Sequence, residues 1–357
     1  MVMSLVKSHD LVSYSSISND LTTFETNLNT ATSLKAIVYT KYGSPQVLQL
    51  AEVKKPVPKD NEVLVKVHAA SVNSWDWDQL RGKQFLVRLI GGLFKPKHKI
   101  LGADIAGKVE AVGKNVKEFQ PGDEVFGDIA GAGFGGFAEY AVAPEKLLAK
   151  KSPHMTFEQA AALPQAGFLA LQGLHYNNAL KTDQQILING AGGGVGTLAL
   201  QYAKTTGAEV TCVDKPEKFD MLRSLGADHL INYQHEDYTR TGLQYDLILD
   251  VIAHRSVSDY KRALKPGGTF AMIGGSMGGL LLRFMLIQPM LSRFSNKKLG
   301  IMGYQPNRND LDHLSRLFEE RKVVPVIDSC YPLNEVAAAL QHLGDGNAKG
   351  KIVISLC

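Results

Sequence analysis

Cysteine is scarce: Cys212, Cys330 and Cys357 are the three in 357 residues. Their spacing assembles neither a disulfide framework nor a CxxC metal site. That usage predicts a reducing, cytoplasmic setting, and Cys212, inside an apolar run, reads as a buried thiol. Runs of five or six like charges are missing, so the net charge of +4 marks no tail for nucleic acid. The most apolar stretch, Gly279 to Leu291, is broken by Gln288 and Pro289. It is too short to span a bilayer, so no stable membrane insertion is expected; the stretch reads first as a lid or dimer contact, with an apolar acceptor pocket and a peripheral membrane contact as the alternatives. The opening segment has no apolar signal core and no Arg, yet carries Asp10, Asp20 and Glu25. Residues 1–33, rich in Ser, Thr and Asn, therefore read as a mobile extension rather than a leader.

What is present is the balance of a globular enzyme, 45% hydrophobic and 21% charged, at a length that suits two domains. From Leu34 the chain runs in short β-type stretches punctuated by Gly and Pro. Lys35 to Tyr39, Glu62 to His68 and Gly107 to Gly113 read as strands. In the second of these Val63, Val65 and Val67 share one face, which makes His68 a strand-face residue. This half predicts a β-rich barrel or sandwich. After Pro153 the period changes. Thr156, with Gln159 three residues on, forms a capping box before a helix. Apolar strands and amphipathic helices then alternate from Gln185 to Ile273, which predicts a parallel sheet covered on both faces. Beyond Gln305 we expect helices at Asp310 to Glu320 and Leu333 to Leu343, a β-like Val323 to Ile327, and a last strand, Lys351 to Ser355. That last strand has no place in the parallel order and is expected to return to the β-rich half.

The best local signal runs from Ile186 to Leu200: an apolar strand, the loop Gly190-Ala191-Gly192-Gly193-Gly194-Val195-Gly196, and a helix. Aligned on the helix, Ala191, Gly193 and Gly196 take the dinucleotide fingerprint positions, the first as Ala. Gly193 lets the backbone approach a pyrophosphate, and Gly196 lets helix pack on strand. Free N–H groups at the helix start face the phosphates. A P-loop is excluded, because no Lys-Ser/Thr pair follows the glycines. Asp214 ends the next strand, 18 residues beyond Gly196. A carboxylate there bonds ribose hydroxyls and repels a 2′-phosphate, which leans the reading to NADH. Lys215 and Lys218 beside it keep NADPH open, and a helix-capping or solvated Asp214 is the plainer reading. Val251, Ile273 and Gly274 follow later strands at their carboxyl ends, where ligands collect in such sheets.

Together with Gly102-Ala-Asp-Ile-Ala-Gly107, Gln120-Pro-Gly-Asp-Glu-Val125 and Leu264-Lys-Pro-Gly-Gly268, these residues make the chain resemble the medium-chain dehydrogenase/reductase superfamily. Within it the chain is similar to the zinc-free quinone oxidoreductase branch, the zeta-crystallin relatives, from about Leu34 to Cys357. The resemblance implies an α/β fold with a GroES-like catalytic domain (34–156 and 305–357) interrupted by a Rossmann domain (157–304). It also implies a cleft between the two and a homodimer. Where zinc-dependent alcohol dehydrogenases hold catalytic zinc, the matching positions are Asn73, Ala103 and Gln165. None offers thiolate, imidazole or carboxylate, so no metal is expected.

Without a Lewis acid, hydride from NAD(P)H suits an acceptor that delocalises charge onto its own oxygen, a quinone or an α,β-unsaturated carbonyl. Asn73, in Ser71 to Trp77, is the first candidate to orient a carbonyl or the nicotinamide, although an Asn after a strand is often a turn residue. Gln165 is a second donor from the opposite side. Asp76 is a candidate for chemistry but more simply a structural hydrogen-bond partner, and Trp77 a cleft wall or a packed ring. No evident general acid stands out. A metal-free alcohol or aldehyde reductase and a non-catalytic, crystallin-like nucleotide-binding protein remain the alternatives.

Overall fold

The computed structural model describes residues 33–176, 180–274 and 296–356. The polar stretch before Ser33 and the apolar segment 279–291 lie outside the described residues.

The first half is built from β1 (Ser33–Val38), β2 (Gln49–Lys54), β3 (Glu62–Val72), α1 (Ser74–Arg81), α2 (Phe85–Gly91), β4 (Asp104–Val112), β5 (Glu124–Asp128), β6 (Tyr140–Pro144) and β7 (Leu148–Lys150). Val63, Val65 and Val67 of β3 are buried in one core with Ile105, Val125 and Ile352. His68 stacks on Phe157, ring centroids 4.4 Å apart. It is a packing residue of the strand face, as the alternation implies. β1 and β2 form a separate antiparallel pair.

The second half runs α3 (Phe157–Ala161), α4 (Pro164–Leu174), β8 (Gln185–Asn189), α5 (Gly194–Thr205), β9 (Glu209–Asp214), α6 (Phe219–Ser224), β10 (His229–Asn232), β11 (Tyr245–Asp250), α7 (Val257–Ala263), β12 (Leu264–Met272) and β13 (Lys298–Ile301). α8 (Arg308–Glu319), β14 (Ile327–Pro332), α9 (Val336–Gly344) and β15 (Lys351–Ser355) complete the chain. The expected capping box at α3 is present, Thr156 accepting from Gln159 N and Gln159 answering to Thr156 N.

Six parallel strands lie in the order β10-β9-β8-β11-β12-β13. The order reverses between β8 and β11, and ligands of such sheets collect at that point. Ile186 and Ile188 of β8 enter a core shared with Leu198 and Leu200 of α5. Leu187 enters the other, with Tyr260 and Ala263 of α7. Both faces of the sheet are thus covered, which is why its strands read as continuous apolar runs.

The second large sheet has the order β14-β15-β3-β4-β5-β7, with β6 also on β3. β15 pairs antiparallel with β3, so the last strand does return to the β-rich half. The expected strand at 323–327 is displaced. Pro325 has no N–H to donate, Val323 packs into the parallel-sheet core, and pairing with β15 begins at Ile327. Ala106, Phe126 and Val353 of the β-rich sheet join that same core, which holds the two sheets together.

Candidate active site

At the end of β8 the chain turns on Gly190, whose φ of +81° is a left-handed conformation that favours glycine. Gly190 N–H and Ala191 N–H both donate to Val213 O, at 3.0 and 3.3 Å, which fastens the loop to β9. Gly193 caps α5 with extended backbone. A Cβ on Gly196 would lie 2.4 Å from both Cα and O of Ala191, so only glycine lets the helix start this close to the strand. A Cβ on Gly193 would meet nothing nearer than Gly190 O at 3.6 Å. What its missing side chain leaves free is the cavity itself.

Asp214, at the carboxyl end of β9, accepts from Gly192 N at 2.7 Å and from Lys215 N at 2.8 Å. Lys218 Nζ stands 3.6 Å from the same carboxylate. The acid therefore ties the loop to the next strand and still faces the cavity. Lys215 reaches across to Asn347 Oδ1 at 3.1 Å, and Gly350 N–H donates to Gly192 O at 3.0 Å. The two halves meet at the glycine loop.

Strand register assembles the other end of the site. Ser71 of β3 stands opposite Asp104 of β4, Asp104 opposite Asp128 of β5, and Ile352 of β15 opposite Val72. Lys351, the residue before Ile352, thereby comes beside Asn73. Its Nζ donates to Asn73 Oδ1 at 2.5 Å and lies 3.5 Å from Asp104 Oδ2. Asp104 also accepts from Ser71 Oγ at 2.9 Å, Asn73 Nδ2 at 3.0 Å and Gln165 N at 3.0 Å. Gln165 Nε2 lies 3.5 Å from Asp128, whose Oδ2 accepts the Tyr304 hydroxyl. Asn73 is also the N-cap of α1, and Asp76 closes the box by accepting from Asn73 N at 3.0 Å. Its second oxygen accepts from Gly102 N at 2.9 Å.

Burial pushes Lys351 below the ordinary lysine range, against the pull of Asp104 and Asp76. Burial likewise pushes Asp104 up, while Lys351, Asn73 and Ser71 hold it down. Asp76 is pushed up to about 7 by burial, against its two backbone donors. Asp128 is also pushed up to about 7, by burial first and by Asp104 second. A carboxyl whose native value lies above its ordinary 3.8 binds its proton more tightly when folded. Its contribution to stability is full below the unfolded value and is lost as pH rises toward the folded one. Between about pH 4 and about pH 7 the protein should lose stability that an Asp128→Asn variant does not, by a few kcal/mol. Urea midpoints across that range check it, and parallel slopes for the two proteins would refute the assignment.

A cavity of about 440 Å³ runs between these two ends, lined by Val72, Asn73, Gln165, Leu169, Gly193, Gly194, Val195, Asp214, Lys215, Lys218, Tyr233, Val251, Ile252 and Lys351 among others. Of the residues expected from sequence, Ala191, Gly192, Gly196, Asp76, Ile273 and Gly274 are not on that lining. They support it from behind. Gly274 is one example, since a Cβ there would fall 2.4 Å from Val251 O. Trp77 packs against Gly344. Sequence reasoning missed Lys351, Asp104, Asp128 and Tyr304. The available signal was a lysine opening an otherwise apolar strand and an acid inside Gly102 to Gly107.

Comparison with known proteins fits this geometry. Residues 59–153 match the alcohol dehydrogenase GroES-like domain, and residues 225–354 match a family described as zinc-binding dehydrogenase. Among the described residues no group of three or more His, Cys, Asp or Glu is placed to hold a metal. The chain is 33% identical over 333 residues to the chloroplast envelope quinone oxidoreductase homolog of Arabidopsis thaliana, covering 90% of this chain and 98% of that protein. It is 32% identical to the NADPH-dependent alkenal/one oxidoreductase of the same plant, covering 90% and 79%. The solved quinone oxidoreductase of Coxiella burnetii superposes with a TM-score of 0.80 at 30% identity, over 91% of this chain and 100% of that one. The chain belongs to the medium-chain dehydrogenase/reductase superfamily and, within it, to the quinone oxidoreductase branch.

Proposed function

We propose that this protein is an NAD(P)H-dependent reductase that passes hydride to a quinone or an α,β-unsaturated carbonyl without a metal ion. One observation carries the reading. The start of α5 and the amides of Asn73 and Gln165 line a single cavity, and the positions of the zinc ligands carry no zinc donors.

A bound dihydronicotinamide supplies the hydride, and the chain's own residues do the rest. Gly193 and Gly194 bring the start of a 12-residue helix to the cavity lining, and the positive end of its dipole is where a pyrophosphate is stabilised. Lys351 adds a cation from the opposite half, its stem packed where a Cβ on Gly194 would fall 2.5 Å from Lys351 Cδ. Val251 and Ile252 form the wall at the switch point, while Val72, Ala166 and Leu169 keep the acceptor end dry. Asn73 and Gln165 are held by Asp104, Asp128 and Lys351 in fixed orientations, so little reorganisation is needed as charge builds on the acceptor oxygen. Asp76 acts through the backbone of Asn73, as a positioning residue.

The fixed carboxylate of Asp214 supports NADH over NADPH, because an acid at the end of this strand repels a 2′-phosphate. Lys215 and Lys218 are ready to serve that phosphate once the acid's charge is removed. Asp214→Asn keeps an acceptor for Gly192 N–H, so kcat/KM for NADPH relative to NADH should rise at least about tenfold. The assay is oxidation of each cofactor with 1,4-benzoquinone and with an alkenone, in EDTA. An unchanged ratio would refute the role of Asp214, and turnover abolished by the chelator would refute the metal-free reading. Tight nucleotide binding without turnover on any acceptor would leave a binding protein instead.

A further inference from the structure

The most exposed apolar surface of the described chain lies outside the cleft. Phe85, Leu86, Leu89, Ile90, Leu93 and Phe94 fall within ten residues on α2 and its C-terminal turn. Phe94 is 90% exposed, Phe85 67%, and Leu89 and Ile90 63% each. Scattered apolar side chains are normal at a surface, but a contiguous group of this size marks a contact.

The helix is fastened by its other face, so these side chains are not exposed by fraying. Val87 and Gly91 are buried, and a Cβ on Gly91 would lie 2.2 Å from Gln79 Oε1 of α1. Arg88 Nε donates to Gly82 O at 2.6 Å, and its guanidinium lies over the Tyr42 ring, 5.0 Å from the centroid. The Tyr42 hydroxyl donates to Gly92 O, and Lys97 N–H donates to Gly91 O at 2.7 Å. An ordinary surface helix turns its apolar side inward. This one is anchored by a small residue and an arginine, and it turns its apolar side out.

Charge identifies the occupant. Between Asp78 and Asp104 the sequence has no acidic residue and carries Arg81, Lys83, Arg88, Lys95, Lys97 and Lys99. Lys83, Lys95, Lys97 and Lys99 are exposed, and among the described residues no carboxylate lies within 4.0 Å of any of them. A second copy of this chain would bring the same cations face to face, which is repulsive. An anionic bilayer accepts both parts: apolar side chains at the acyl boundary and lysines among the headgroups.

The geometry points to residues 85–99 as an interfacial docking surface for an anionic lipid bilayer, on which the protein lies without spanning it. Among the described residues no helix is long and apolar enough to cross a membrane. α2 is joined to the cleft through α1, whose N-cap is Asn73, so docking here holds the acceptor end of the cavity close to the lipid. Lipophilic molecules concentrate in that layer.

The test is flotation of the full chain with phosphatidylcholine vesicles, with and without about a third phosphatidylserine. Binding should be at least about tenfold stronger with phosphatidylserine and should weaken as salt is raised. The variant Phe85→Ser/Leu89→Ser/Ile90→Ser/Phe94→Ser should lose binding at least about tenfold, while its thermal midpoint and NADH oxidation stay those of the parent. No binding by the parent would overturn the proposal. So would full binding by the variant, which would place the contact elsewhere in the chain. A parent dimer that the same substitutions dissociate would also overturn it, by showing that a second copy covers the patch. None of these readouts depends on which acceptor the enzyme reduces.

Discussion

Two alanine substitutions three residues apart should both weaken nucleotide binding, and only one of them should destabilise the fold. Gly196→Ala should lose about 2–3 kcal/mol of stability together with nucleotide binding. Its new Cβ would sit 2.4 Å from Ala191 Cα and O and 2.5 Å from Gly190 O. All three are backbone atoms, held by the donations of Gly190 and Ala191 to Val213 O. No side chain can rotate away, so α5 must lift off the strand, and the N–H groups at its start lift with it. Gly193→Ala should fold normally, because its φ of −91° is open to any residue and the nearest atom is 3.6 Å away. Yet its Cβ enters the cavity, and NAD(P)H affinity should fall about a hundredfold or more. Urea denaturation and cofactor fluorescence titration on both proteins separate the roles. Equal stability of the two variants would mean that the loop is softer than its contacts imply. Undiminished affinity in Gly193→Ala would mean that the phosphates bind elsewhere.

Why the glycine loop was legible and the acidic row was not follows from distance along the chain. Strand, loop, helix and Asp214 fall within 30 residues, from Gln185 to Asp214. Each element there is set by its own period and punctuation. The capping box at Thr156 and Gln159 is equally local. Lys351 and Asp104 are far apart in sequence and meet only because β15 pairs with β3 and β3 with β4, a pairing that local patterns do not encode. Asn73 was readable as a turn residue or as a site residue. It is an N-cap as well as a member of the cavity wall, and the sequence had no means of showing both.

Breaking the buried pair of Lys351 and Asp104 should cost a large share of the protein's stability. Among the described residues Lys351 is the one cation within 4.0 Å of Asp104, and the acid is fully buried. Removing the cation with Lys351→Met keeps the stem that packs over Gly194 and leaves the carboxylate without an opposite charge. A buried charge stripped of its partner costs about 3–5 kcal/mol, so the variant should unfold at markedly lower urea. The sign of the pH dependence discriminates further. Without Lys351 the native carboxyl of Asp104 binds its proton more tightly still. The variant's deficit should then shrink toward low pH and grow as pH rises through neutrality. Asp104→Asn on the same background removes the stranded charge and keeps an acceptor for Ser71 Oγ, so the double variant should recover a large part of the loss. Additive single effects, or a deficit independent of pH, would show that Lys351 serves the nucleotide alone. The expected coupling makes it also the support that fixes Asn73, and through Asn73 the wall against which the acceptor lies.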